Sequence, residues 1–476
     1  MQCRVWCLQV AAPGIPVLIL AAMAIGSSHK ADELYGFHTR LINGLLGAGV
    51  CVSSYACDGS ATERKITRMF LESAVSTEKT EIPHPDTQFP PYSITLYFYG
   101  PQATPISSVQ DSKHLAKTIR NILYGGTRTL VIGNNVAHYS RVHSLSAHAR
   151  SPIYKRDVLK VDRQDDLAAT RLLSSATIKH IIAVMEEQKS LAVPDPVLGK
   201  DLSGLLVYLF IFGDLVDAFQ NRCIANAERV KMVLRAHYFL DIWRSSLAAL
   251  GYSETFHFIT REAHEVIGYL VHGFLSLVLI YRDYLDDDHY PLCAWLHSTE
   301  SAEHTFGEAR KNKADFTFAD FLIMVPKLSI LFDAAVQAGD YEGSANARAA
   351  GYFHTQYSST GINIPALSSF PTNHTMNEAA RLALCEARAC FSLCGIPVSA
   401  ELYSPTNPSA QSLPGISHWL PAQDSEDEAW DEEEMACTLA DEPINATEEL
   451  ERLLHAEDTR SLSSASFDSQ MEAYCR

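Results

Sequence analysis

The sequence predicts a chain of mixed class, an α/β portion combined with an all-α block and followed by an acidic tail. Three observations predict it. Short apolar, β-branched runs alternate with amphipathic helical patterns over the first 125 residues. From about Val158 to Tyr284 the periodicity is almost wholly helical. Positions 401 to 476 hold 18 acidic residues against Arg452, Arg460 and Arg476. At 476 residues and 47% apolar content the chain is long enough for two to four domains with a sizeable core.

The elements follow in order. Arg4–Val10 and Val17–Ile25 are strand-like runs around the turn at Pro13, Gly14 and Pro16, which predicts a β-hairpin. A charged residue followed by apolar sequence also imitates a secretory leader, but the prolines and glycine divide the stretch. Leu34, Phe37, Leu41 and Leu45 mark an amphipathic helix that Gly47 and Gly49 stop. A strand over Val50–Cys57 ends on Asp58-Gly59-Ser60, and a helix begins near Thr62, with Ile66, Phe70 and Leu71 as its apolar side. A proline-rich connector, Ile82–Pro91, leads to the alternating strand Ile94–Tyr99 and a short segment Ile106–Val109. A helix then starts at Ser112 and closes at Gly125-Gly126. Helices are expected over Leu202–Phe219 and Ala227–Leu250, and the apolar run Val266–Tyr281 reads as a buried helix too short for a membrane span. Thr299 is placed to cap a helix carrying Glu300, Glu303, Phe306 and Arg310. Further helices are expected over Phe318–Ala338, kinked at Pro326, and from a Thr375/Glu378 capping box to Cys394. Beyond about 400 the composition predicts disorder, with one weak helix around Leu450, Leu453 and Leu454.

Formal charge is -18, but -15 of it lies in the tail, so by subtraction the body carries only about -3. No basic block of the kind that neutralises DNA phosphates is visible, and any DNA contact has to be local. The eleven cysteines form no CxxC pair or zinc-finger frame, which argues for reduced thiols. Cys385, Cys390 and Cys394 are expected to line an apolar stripe before a metal site. The expected location is nuclear or cytoplasmic, with neither secretion nor a membrane partner.

Three acids sit where an apolar element meets a polar one: Asp58, Asp111 and Glu303. Carboxylates at the carboxyl ends of neighbouring strands lie where open α/β sheets bind ligands. Hard oxygen ligands there suit Mg²⁺ or Mn²⁺ and in-line phosphoryl transfer. Each residue also has a plainer role. Asp58 and Asp111 can be turn or cap residues, His114 a packed histidine, Lys113 and Lys117 a solvated face, and Glu300 with Glu303 a favourable charge at a helix start.

The series Cys57-Asp58-Gly59-Ser60, then Asp111-Ser112-Lys113-His114 with Lys117 and Arg120-Asn121, then a helical insertion, then Ser298-Thr299-Glu300-Ser301-Ala302-Glu303-His304, resembles the core of P-element-type transposases and, more distantly, the hAT group. The resemblance implies a mobile-element origin of the kind multiplied in mushroom-forming fungi. The resemblance spans roughly residues 1–330 and implies a partial RNase H-like mixed sheet with a large α-helical insertion. It divides the chain into residues 1–125 (first part of the core), 126–290 (insertion), 291–330 (the Glu-bearing helix), 331–398 (a helical region) and 399–476 (the tail). It implies Asp58 and Glu303 as catalytic, metal-binding carboxylates of a DDE set. Asp111, His114, Lys117, Arg120, Asn121, Glu300 and His304 are implied to support them. The first Asp of that set is expected upstream of the opening hairpin, so the chain reads as N-terminally truncated and as an inactive relic of a DNA transposase. DNA and a second copy of the chain are admitted as partners. From another class, a non-enzymatic helical scaffold is the alternative.

Overall fold

The computed structural model describes residues 2–12, 14–26, 29–285, 290–337, 361–400, 402–404 and 444–445. In chain order the elements are β1 (Gln2–Leu8), β2 (Leu18–Ile25), α1 (Ala31–Gly47), β3 (Ser54–Cys57), α2 (Ala61–Glu72), β4 (Ser76–Ile82), β5 (Tyr92–Tyr99), β6 (Thr104–Pro105), β7 (Ser107–Gln110) and α3 (Ser112–Tyr124). The hairpin β8 (Leu130–Ile132) and β9 (Asn135–Ala137) follows, then α4 (Tyr139–Ala147), α5 (Lys155–Leu159), β10 (Lys160–Val161), α6 (Asp166–Leu172), α7 (Ser175–Ser190), α8 (Ser203–Gln220), α9 (Asn226–Ala249), α10 (Glu254–His257) and α11 (Arg261–Asp283). After a 3-10 turn at Ala294–Leu296 come α12 (Glu300–Asn312), α13 (Phe318–Gln337), α14 (Ile364–Leu367), α15 (Asn373–Ser392) and the two-residue β11 (Ile444–Asn445).

The class is mixed α/β, rich in helix. The expected order strand, strand, helix, strand, helix holds for β1 through α2. A single mixed sheet is not formed among the described residues: the strands fall into β1-β2, β3-β7, β4-β5-β6, β8-β9 and β10-β11. The β3-β7 pair is parallel, with Cys57 opposite Gln110. The β1-β2 and β4-β5 pairs are antiparallel. The main core lies in the helical block, where α8, α9, α11 and α15 bury Phe212, Trp243, Phe274 and Phe391 against one another. By length and composition α8 and α11 could cross a membrane, and both are largely buried inside the fold.

Helix α11 ties this block to the parallel strands. Gly273 faces β7 so closely that an added Cβ would meet the Ser108 carbonyl oxygen at 2.7 Å, and the Ser107 hydroxyl donates to the Gly273 carbonyl at 3.0 Å. At the residue just before that contact, His272 Nε2 accepts the Thr95 amide at 3.1 Å, joining α11 to β5 as well. These contacts need a helix with no side chain at 273.

Several expectations are corrected. The strand expected over Val50–Cys57 is only the four residues of β3, because the chain leaves α1 through Gly49 at φ +78° and stays irregular to Ser53. Strand β4 lies just before the expected connector and has no apolar alternation, since its Ser, Thr, Glu and Lys face solvent on an edge. The 126–290 region carries the β8-β9 hairpin, so it is not all helix. Helix α11 has 23 residues, longer than its uncharged run suggested. Helix α15 is capped by Thr372, whose hydroxyl accepts the Thr375 amide, and not by a Thr375/Glu378 box. Of the three cysteines, Cys394 is buried and Cys385 is exposed, so they make no continuous stripe. The tail expected to be disordered, with its weak helix, lies outside the described residues.

Two predictions follow from the packing. Gly273→Ala places a methyl against the β7 backbone and is expected to cost about 1–3 kcal/mol, read as a lowered midpoint in urea unfolding. Burial pulls the His38 imidazole down to about 3 and those of His272 and His297 down to about 4. The unfolded chain therefore takes up protons at these rings as pH falls below about 6.5 while the folded chain does not. Stability is expected to be full above that pH and to fall by up to about 1.4 kcal/mol per ring for each pH unit down toward 4. A flat unfolding free energy between pH 7 and 4.5 contradicts this.

Candidate functional site: a carboxylate edge closed by a buried clasp

Strands β3 and β7 run parallel, so both of their carboxyl ends open on one edge, with Asp58 following the first and Asp111 ending the second. The turn after β3 requires glycine: Gly59 has φ +79°, and a Cβ there would meet Gln110 Oε1 at 2.8 Å. Asp58 Oδ1 accepts the Ser60 amide at 3.0 Å, and Ser60 in turn caps α2 by accepting the Glu63 amide. The rest of the Asp58 carboxylate faces solvent, close enough to His114 for its charge to be felt there.

Asp111 is 1% exposed and fully engaged. Its Oδ1 accepts the Lys113 amide at 2.7 Å and the His114 amide at 3.2 Å, capping α3. Its Oδ2 accepts the Thr299 amide at 2.9 Å and the Thr299 hydroxyl at 2.5 Å. Burial alone would raise this carboxyl, but the Thr299 hydroxyl and the Lys113 charge hold it below the ordinary carboxylate range. Thr299 is thus the N-cap residue of α12 without capping through its side chain, because its hydroxyl is spent on Asp111. Just upstream, His297 is bracketed by the Ser54 hydroxyl at 2.7 Å and the Tyr281 hydroxyl at 3.1 Å, which fixes the approach to α12 between β3 and α11.

The clasp brings α12 to the same edge. Lys113, buried, meets Glu300 at 2.6 Å, and Lys117, also buried, meets Asp166 at 3.0 Å. Glu303 keeps much of its surface in solvent, yet the protein packed around its carboxyl pushes it up to about 7. Burial is the main cause. Asp111 and Asp166 add to it, and Lys117 and Lys113 oppose it. His114 is half-buried and lowered by that burial, with Asp58 and Asp111 pulling the other way.

Of the residues expected to support the site, Arg120 and Asn121 act at one remove. The Arg120 guanidinium, fully buried, donates to the carbonyls of Asp165 at 2.7 Å and Asp162 at 2.8 Å, and Asn121 donates to that of Arg163 at 3.3 Å. Together they hold the loop that presents Asp166 to Lys117. His304 is not brought in. It lies one residue, about 100° of helix, past Glu303, and meets Glu308 at 3.4 Å and the edge of Phe332 instead. The pair Lys113 and Lys117 is no solvated face, because the helical block covers α3. Asp166 and His297 were not foreseen, since both act through partners remote in sequence.

Among the described residues no group of three His, Cys, Asp or Glu side chains is arranged to hold a metal ion. The carboxylates of Asp58 and Glu303 are oxygen donors of the kind that Mg²⁺ or Mn²⁺ prefers.

No family model matches the chain, and no curated protein matches it. Among solved structures the chain is similar to the Drosophila P element transposase strand transfer complex, at 14% identity and a TM-score of 0.45, over 70% of this chain and 69% of that one. A likeness at that level does not by itself assign a fold or an activity.

Thr299→Val removes one of the four hydrogen bonds to Asp111 and is expected to cost about 1–3 kcal/mol, against almost nothing for His304→Ala. The comparison of their melting curves tests whether Thr299 is a clasp or merely a cap. Lys117→Met is expected to move the Glu303 titration upward from about 7, because it deletes an opposing positive charge. A carboxyl ¹³C titration that stays put, or moves down, rejects the proximity of Lys117 to Glu303.

Proposed function

We propose that this chain is a transposase-related protein, built on the plan of metal-dependent DNA strand-transfer enzymes and without strand-transfer activity of its own. One observation carries the reading. The carboxyl edge of a parallel strand pair holds Asp58 and Asp111, and a helix bearing Glu303 is returned to that edge after a long, mainly helical excursion. The order of motifs that resembles P-element-type transposases is consistent with this arrangement. In this reading residues 1–125 and 291–330 form one core, partial and RNase H-like, and 126–290 is an insertion between its halves.

Asp58 and Glu303 are the candidate metal-binding pair, and Asp111 belongs to the scaffold because all its bonding capacity is taken. Two carboxylates are short of what a two-ion phosphoryl transfer requires, so no catalytic step is assigned to them. Contact with DNA would be local and weak, given a body charge of about -3.

Two measurements test the reading. Mn²⁺ binding followed by electron paramagnetic resonance is expected to be loose and to fall with Asp58→Ala and with Glu303→Ala alike; if neither change affects it, the shared-edge reading fails. Incubation of labelled duplex DNA with Mn²⁺ is expected to yield no cleavage or joining above the Asp58→Ala background. Turnover by the unmodified chain that Asp58→Ala abolishes overturns the inactivity and leaves the ancestry standing.

A further inference from the structure

Within the helical block, two imidazoles and a carboxylate meet at the surface, apart from the acidic edge. Helix α7 carries His180 and Glu187 seven residues apart, which is two turns along one stripe of the helix. The chain leaves α4 at His148, and the His148 ring lies beside that stripe, its centroid 5.2 Å from that of His180 with the two planes at 56°. Through Nε2, His148 meets the Glu187 carboxylate at 3.4 Å. Its other nitrogen, Nδ1, is enclosed by the fold and has no hydrogen-bond partner among the described residues, and Nε2 of His180 stands the same way. Enclosed polar atoms of a native fold are normally paired, so two such nitrogens on neighbouring rings call for an explanation.

The carboxylate decides which nitrogen of His148 can act. When Glu187 accepts the Nε2 proton, the lone pair of the neutral ring is left on Nδ1. A carboxylate behind a histidine is the usual outer partner of a metal-bound imidazole, because it holds the ring in place and raises its basicity. Burial holds the His180 ring below the ordinary histidine range, with His148 acting the same way and Glu187 opposing them. His180 is therefore a neutral ring with a lone pair to give at neutral pH. No hydrogen bond joins the two rings to each other. Two metal–nitrogen bonds of about 2.0–2.1 Å span about 4 Å, a separation that rings 5.2 Å apart reach by turning about their Cβ–Cγ bonds.

We propose that His148 Nδ1 and His180 Nε2 form a two-imidazole site for a transition-metal ion, Zn²⁺ before others, with Glu187 as the residue that orients His148. The site differs in kind from the acidic edge. Imidazole nitrogens suit Zn²⁺, Cu²⁺ or Ni²⁺, whereas carboxylates alone suit Mg²⁺ or Mn²⁺. Water completes the coordination, since among the described residues no third His, Cys, Asp or Glu side chain is placed to join the pair. A bound ion ties the end of α4 to α7. This inference does not depend on the transposase reading.

The test is a Zn²⁺ titration of the full chain followed through the ring ¹⁵N and ¹³C resonances of its histidines. His148 and His180 are expected to shift together and to saturate as one site, while the same concentration of Mg²⁺ moves neither. His148→Gln is expected to abolish the response of the His180 ring, and His180→Gln that of the His148 ring. Glu187→Gln, a change at an exposed position, is expected to weaken the saturation about tenfold. Asp58→Ala is expected to leave the response of both rings as it is. Absence of a shift in millimolar Zn²⁺, a shift of one ring alone, or an equal response to Mg²⁺ overturns the proposal. So does loss of the ring shifts in Asp58→Ala, which places the ion at the acidic edge. A Glu187→Gln chain that takes Zn²⁺ as tightly as the parent overturns the orienting role of Glu187.

Discussion

Everything at the candidate site depends on one buried carboxylate. Asp111 accepts two amides from the start of α3 and two donors from Thr299, residues that stand on either side of the helical block. An acid with 1% exposure and no partners would carry a severe desolvation cost. Four donors reverse that, and the reversal is visible as a carboxyl held below its ordinary range despite burial. Because the donors come from both ends of a long excursion, the bond set closes a loop in the chain as well as capping a helix. The position of α12, and with it of Glu303, is a consequence of satisfying Asp111.

The secondary structure was legible wherever one face meets water. The opening hairpin, α1 and α2 were readable because apolar residues recur at periods that only one conformation places on one side. Strand β4 was not, since an edge strand of Ser, Thr, Glu and Lys has no buried face to announce it. The placement of Asp58 and Asp111 at the carboxyl ends of two neighbouring strands could be anticipated from their positions at element ends. What each carboxylate does could not. Asp58 keeps an open oxygen and Asp111 none, and that difference is set by Thr299, which lies far away in sequence and reads locally as an ordinary cap. The lysines show the same limit: spacing at i and i+4 suggested a wet face, and only the helical block above α3 makes them buried partners of Glu300 and Asp166.

The charge arrangement explains how so many acids coexist. Asp58, Asp111, Asp166, Glu300 and Glu303 converge on a region where the compensating cations are Lys113 and Lys117. Lys113 is drawn to Glu300 and Lys117 to Asp166, each at ion-pair distance. Asp111 is stabilised by hydrogen bonds, and Asp58 by solvent and one amide. Glu303 is the residue left over. Among the described residues it forms no ion pair, and burial with Asp111 and Asp166 outweighs Lys117 and Lys113, so its carboxyl is pushed up to about 7.

The same logic of unsatisfied groups applies to the backbone. A four-residue parallel pair such as β3-β7 is a small unit to stand alone, and here it is held by α11 through Gly273 on one flank and by His297 on another. Those anchors all act on the β7 side or from above and leave the outer edge of β3 without a ladder. The hairpin β1-β2 is fixed in its turn by α1, α2 and α13, with β1 facing β3 across side chains. Packing thus places β1 and β3 between shared neighbours with no backbone ladder between them.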